Sequence, residues 1–203
     1  MQAQFSASII VNRATIIVLA LIAAFAAGTA SAGYAITHWL DLAGQSTGPW
    51  KRLATFGDAG SDPYTRAYEH ISGTLPIGPA EGQIYLASTD SDGQQLDASC
   101  AYRIEGEIPS ARLFTLRAQT TDGQLITAKS PLPHALHSDQ LLFSKSRFAI
   151  NIAATVQPDN WLALQTTGGF NLVLTYYDVA VINDDTGNST RLPQIVKGQC
   201  ADV

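Results

Sequence analysis

Between Ala14 and Leu40 there is not one Asp, Glu, Lys or Arg, and every acidic residue lies at or beyond Asp41. Charge is scarce throughout: 14% of the 203 residues carry it, where an ordinary soluble domain has roughly 25%. All basic residues except Arg13 follow the uncharged stretch, so the remainder of the chain is acidic. Such a domain repels phosphate backbones instead of releasing their counterions, which argues against nucleic acid as a partner. No polybasic run is present to grip anionic lipid heads. Cysteine is nearly absent, with Cys100 and Cys200 the only two, and the missing CxxC argues against a dithiol redox motif. There is also no glycine-rich phosphate loop before a helix, no HExxH and no GxSxG. The sequence therefore nominates no catalytic residue, no cofactor and no metal.

The uncharged stretch is where the hydrophobic residues concentrate. Ala14–Ala27 contains one polar residue, Thr15, and residues 28–36 extend it with small uncharged side chains. About 20 residues of helix span a bilayer core, so residues 14–36 suffice. Two readings stand open. One is a signal peptide cleaved after Ala32, with Ala30-Ser31-Ala32 supplying small residues before Gly33. The other is a retained transmembrane helix, with Tyr34 and Trp39 as aromatic anchors at the far interface. Either places the rest of the chain across the membrane. A core helix of a soluble protein is the poorest fit, because nothing else in the chain is apolar enough to surround it. Gly28 and Ala32 form a small-xxx-small pair, which alanine-rich segments produce by chance.

The division is therefore 1–40 as anchor or signal segment and 41–203 as one domain. Residues 41–50 read as a linker, punctuated by Gly, Ser, Thr and Pro. One helix follows: Asp62 caps it, Pro63 takes its first position and Gly73 stops it. Tyr64, Ala67, Tyr68 and Ile71 share one face, which predicts core packing. From Glu81 on, segments 83–89, 99–106, 111–120, 124–128, 147–155 and 170–177 read as strands. Asp122-Gly123 is the strongest hairpin turn. Six short strands at this spacing favour a mainly β, antiparallel β-sandwich or jelly-roll-like domain with one short helix, preceded by the transmembrane helix.

Two cysteines in an exported chain favour a disulfide between Cys100 and Cys200; buried thiols or a redox pair are the alternatives. Three constellations are weaker. His134, His137 and Asp139 are zinc-ligand types, but Pro131 and Pro133 make their segment a loop of solvated histidines. Asp90, Asp92 and Asp97 around Gly93 lack the full order of a calcium loop and read as a polar hairpin tip. Glu105 and Glu107 share one strand face, whereas glycosidase carboxylates normally face each other across a cleft. The sequon Asn188-Ser189-Thr190 carries little weight.

The order of short motifs resembles the bacterial domain-of-unknown-function 1214 family, in its short membrane-anchored members. The residues that carry the resemblance begin with Gly48-Pro49-Trp50, Asp62-Pro63-Tyr64-Thr65-Arg66-Ala67 and Gly73-Thr74-Leu75-Pro76. They continue through Glu81, Asp92-Gly93, Cys100-Ala101-Tyr102, Gly106, Ala111-Arg112 and Thr115-Leu116. Asn160-Trp161, Tyr177-Asp178, Leu192-Pro193 and Cys200 complete them. The resemblance implies a β-sandwich-like domain behind a membrane segment and no established reaction. Members often carry an aromatic pair where this chain has Leu113-Phe114, and Tyr-Asp where it has Thr120-Thr121.

These readings lead to an envelope protein of the bacterial inner membrane, single-pass, with its domain in the periplasm. Its leading role is binding of an envelope protein or glycan. The rival is a carbohydrate-active or envelope-modifying enzyme, and a structural subunit of a membrane complex is third. A concave face bearing Trp161, Tyr102 or Tyr177 with two carboxylates from separate strands would favour the enzyme. Candidate ligand-binding residues are Arg66, Arg112, Tyr102 and Trp161. The simpler expectation for the two arginines is pairing with an acid such as Glu81 or Glu105, pinning helix to sheet.

Overall fold

A computed structural model describes residues 13–107, 111–129, 132–179 and 191–201. Helix α1, Arg13–Thr37, runs uninterrupted for 25 residues with no buried side chain. Its most apolar window has a mean hydropathy of 2.1, and its length of roughly 37 Å exceeds a bilayer's hydrocarbon core. It is a candidate membrane span by length and composition. Its hydroxyls do not oppose this, since Thr29 and Thr37 donate to Phe25 and Gly33 carbonyls at 2.8 and 3.0 Å, one turn back.

Residues 41–50 are not a linker. A short helix α2, Trp39–Ala43, leads into a hairpin of β1, Gln45–Thr47, and β2, Trp50–Arg52. Gly48 turns this hairpin at φ 58°, a left-handed conformation that glycine adopts without penalty. Trp50 is fully buried, and covering an indole ties the segment to the core.

Helix α3, Pro63–Ser72, has the ends its sequence specifies. Asp62 accepts from the Tyr64 and Thr65 amides at 2.9 and 3.1 Å and from the Thr65 hydroxyl at 2.6 Å, and Gly73 closes the helix at φ 62°. Its expected core face is not one. Tyr64 and Ile71 remain 43% and 64% exposed, and Thr65 is the buried residue of the helix. The reason is its neighbour: α3 packs against the C-terminal end of α1 and against α2. There Trp39 stacks on Tyr64 at 4.9 Å and donates to the Thr65 hydroxyl at 2.9 Å.

The strands form two packed sheets. β3 is Gly82–Ala87, β4 Cys100–Glu107, β5 Ala111–Thr120, β6 Ala135–His137 and β7 Phe143–Ser144; β8 is Arg147–Ala153, β9 Trp161–Ala163, β10 Phe170–Val179 and β11 Gln194–Cys200. One sheet has the order β1-β2-β3-β10-β5-β6, the other β11-β4-β8-β7. Pairing is antiparallel except for β9, which lies parallel to β8. The Asp122-Gly123 turn forms, with the Thr120 amide bonded to the Gln124 carbonyl at 2.8 Å. Beyond Gln124, the 124–128 arm meets β5 through a bridge at Leu125 and a bond from the Ile126 amide to the Ala118 carbonyl, and forms no continuous strand. Further along the same edge, β6 supplies the pairing.

Alternation fills the space between the sheets. Leu116, Leu172, Leu174 and Tyr176 point inward from one, and Tyr102, Ile104, Ile150 and Ile152 from the other. Tyr102 meets Phe170 edge-on at 5.8 Å, and Phe114 lies 4.9 Å from Phe148. Gly106 allows a close approach, since a Cβ there would stand 2.8 Å from the Pro193 side chain. β10 is buried on both faces from Phe170 to Tyr176, so something covers the outer side of its sheet as well as the inner.

Candidate functional site

That cover is incomplete. On the outer face, register aligns Leu86 of β3, Val173 of β10 and Arg117 of β5 in one row, with Asn171 opposite Gln119 in the next. Opposite them stand Tyr68 and Ile71 of α3, Leu53 and Phe56 of the β2–α3 connection, and Thr37, His38, Leu40 and Asp41 at the junction of α1 and α2. The space between is a cavity of about 420 Å³, within the range of small-molecule sites.

The cavity is amphiphilic. Ile84, Leu86, Val173, Leu53, Phe56 and Leu40 give it apolar walls, and Arg117, Gln119, Asn171 and Ser88 give it a polar strip on the sheet. Its carboxylates are engaged: Asp41 pairs with Lys51 at 2.6 Å, and Asp122 accepts from the Thr120 hydroxyl. Arg117 is half-buried and donates to the Gln119 side-chain oxygen at 3.0 Å. No carboxylate among the described residues pairs with it. Burial lowers the pKa of its guanidinium, with a smaller opposing influence from Tyr177. A cation that is partly desolvated and lacks an acid can still take an anionic partner. Burial likewise raises the Tyr68 phenol, helped by Asp41, so Tyr68 stays a neutral donor.

The residues nominated from sequence are not brought together, and none of the four lines this cavity. Arg66 lies exposed on α3 and donates to the Ala59 carbonyl at 2.5 Å. Arg112 pairs with Asp178 at 3.5 Å on the neighbouring strand, its side chain 79% exposed. Neither pins helix to sheet through Glu81 or Glu105. Glu105 bonds Arg103 on its own strand and Glu107 meets Arg191 at 3.6 Å. Tyr102 is 2% exposed, faces the core and accepts from the Asp97 amide at 2.9 Å. Trp161 is half-buried, with its indole donating to the Ala153 carbonyl at 3.0 Å.

The weaker constellations resolve into turns. Asp90 accepts from the Asp92 and Gln94 amides at 3.0 and 2.8 Å, and Asp97 from the Ser99 amide at 2.8 Å. Hydrogen bonds from the Ser99 hydroxyl and amide hold the Asp97 carboxyl below its ordinary value. His134 accepts from the Ala128 amide at 3.0 Å, and no metal-binding group of His, Cys, Asp and Glu occurs among the described residues. Cys100 and Cys200 form a disulfide between directly opposed residues of β4 and β11. The sequon at Asn188 lies outside the described residues. Sequence reasoning missed Arg117, which nothing in the strand Ala111–Thr120 distinguishes from its polar neighbours.

Four chains of solved structures resemble this one. The VPA0106 protein from Vibrio parahaemolyticus aligns at a TM-score of 0.54 and 19% identity, over 69% of this chain and 36% of its own. An uncharacterized protein from Burkholderia cenocepacia aligns at 0.41 and 19% identity, over 63% of this chain and 32% of its own. The chain thus spans about a third of the length of these two structures, and the Vibrio likeness shows a shared fold. No curated protein matches it significantly. Residues 81–180, which carry the central strands β3–β5 and β8–β10, match the model for "Protein of unknown function (DUF1214)", the family that the order of short motifs resembles.

Proposed function

We propose that the chain is a single-pass bacterial inner-membrane protein, anchored by residues 14–36, whose periplasmic β-sandwich is a binding module and not an enzyme. The uninterrupted apolar helix Arg13–Thr37 supports the anchor. The Cys100–Cys200 disulfide supports an oxidising compartment. The observation that carries the binding role is the 420 Å³ cavity between the outer sheet face and α3. Its polar strip offers donors and a cation, while its carboxylates are occupied by Lys51 and Thr120. That arrangement holds a ligand without supplying the free acid–base pair that glycoside hydrolysis uses.

The test is to fill the space. Ser88 lines the cavity just beyond β3, and Ser88→Phe places an aromatic ring within it. Parent and variant, purified from native membranes in mild detergent, are extracted and their small molecules compared by mass spectrometry. The parent retains at least one compound that the equally stable variant lacks. Identical extracts from both would remove the binding role.

A further inference from the structure

We infer that the cavity's ligand is an anionic amphiphile, with its charged head on Arg117 and its hydrocarbon chain along the apolar walls. This rests on the reading of the cavity as a binding site and of α1 as a retained anchor. The charge argument comes from the pairings. Of the four formal charges on the lining, Asp41 and Lys51 neutralise each other at 2.6 Å, and Asp122 is exposed and bonded to Thr120. That leaves Arg117, half-buried and bonded only to a neutral amide. Gln119 and Asn171 sit beside it, buried, in the next row of the same strands. A guanidinium flanked by amides suits a phosphate or carboxylate, which accepts several donors at once.

The chain argument comes from the walls. Val173 and then Leu86 continue the row of Arg117 on one side, and Leu53, Phe56 and Leu40 belong to the cover. A small hydrophilic anion would leave these side chains facing water, whereas a hydrocarbon chain covers them. Location adds a third argument. Thr37 and His38, at the C-terminal end of the candidate span, are part of the lining. A site built against the end of a membrane helix lies at the level of lipid head groups, where anionic amphiphiles are concentrated.

The test uses the full chain in a non-ionic detergent, titrated with single compounds and read by native mass spectrometry. The probes are oleoyl lysophosphatidic acid, oleate, monoolein and glycerol 3-phosphate. Monoolein keeps the chain without the charge, and glycerol 3-phosphate keeps the phosphate without the chain. Lysophosphatidic acid or oleate binds with one equivalent, and both controls bind about 10–100-fold more weakly. Arg117→Met reduces the anionic probes to the level of monoolein, and Arg117→Lys restores part of the difference. Monoolein binding as tightly as the anionic probes, or an unchanged Arg117→Met, overturns the inference while leaving the cavity a binding site. Glycerol 3-phosphate binding as tightly as lysophosphatidic acid also overturns it, and reassigns the site to a soluble anion. Binding by none of the four sinks it as well, and the extract comparison with Ser88→Phe then decides separately whether the cavity holds anything.

Discussion

The indole of Trp50 donates to the carbonyl of Pro193 at 2.7 Å, joining residues 143 positions apart. Trp50 begins β2 in one sheet, and Pro193 immediately precedes β11 in the other. With no exposed surface on Trp50, the bond is dry and has no water to replace it. Trp50→Phe keeps much of the packing and orphans the carbonyl, an expected loss of about 1–3 kcal/mol. Trp50→Ala adds a cavity and reaches about 3–5 kcal/mol. Denaturant unfolding of the full chain in detergent measures both, and a Phe variant as stable as the parent would show that the bond contributes nothing.

The disulfide closes a loop of 100 residues. In the chain-entropy model such a link is worth about 4.7 kcal/mol. The double variant Cys100→Ala, Cys200→Ala is expected to lose about 2–5 kcal/mol, lowering the melting temperature by about 2–4 °C for each. Unreduced native protein should resist thiol alkylation under denaturing conditions, because the described chain has no free cysteine. Labelling at both positions would mean that the pair is reduced in its own compartment.

Asp62 links α3 to pH. Bonds from the Thr65 hydroxyl and amide, then from the Tyr64 amide, hold its carboxyl below the ordinary aspartate value of 3.8. A depressed folded value means that the stabilisation is complete above the unfolded pKa and is lost as pH falls through the folded one. The α3 contact with Trp39 should therefore loosen on acidification below about pH 4. Asp62→Asn keeps an acceptor for the cap and removes that proton. Tryptophan emission followed during acid titration should shift less in the variant, and identical titrations would place the acid-sensitive group elsewhere.

Arg66 and Arg112 are expected to be dispensable for stability. One serves a backbone carbonyl on the surface, and the other pairs with an Asp178 side chain that is itself 69% exposed. Surface pairs of this kind contribute about 0–1 kcal/mol. Arg66→Met and Arg112→Met should each melt within about 0.5 kcal/mol of the parent. A loss several times larger for either would reveal a contact beyond those described.

The parts legible in the sequence were those decided by local chemistry. Asp62, Pro63 and Gly73 mark the helix ends because capping depends on a few adjacent atoms. Segments 147–155 and 170–177 announced strands because each is short and rich in β-branched or aromatic residues. What stayed hidden depends on distant neighbours. The stripe Tyr64–Ile71 has helical spacing whichever surface it meets, so periodicity could not say that α1 would stand where a core was expected. Residues 41–50 read as a linker since only the distant Pro193 gives Trp50 its bond. Arg117 drew no attention in the sequence, because the cover that partly buries it comes from residues 37–72. Cysteine pairing was legible from count and compartment alone, whereas the scattered positions of Arg66, Arg112, Tyr102 and Trp161 required the topology.

The place of β11 beside β4 has a consequence in time. β4 is flanked by β8 on one side and β11 on the other, and β11 arrives nearly a hundred residues after β4. Until it does, the outer edge of β4 offers unpaired amides and carbonyls to any passing strand, and the Trp50 indole has no acceptor. Pairings this far apart in the chain form slowly. The nascent domain thus passes through a sticky interval, and its length is set by how fast residues 194–200 dock. A chaperone that shields exposed strand edges would matter most during that interval, and a chain cut short before Pro193 would never leave it.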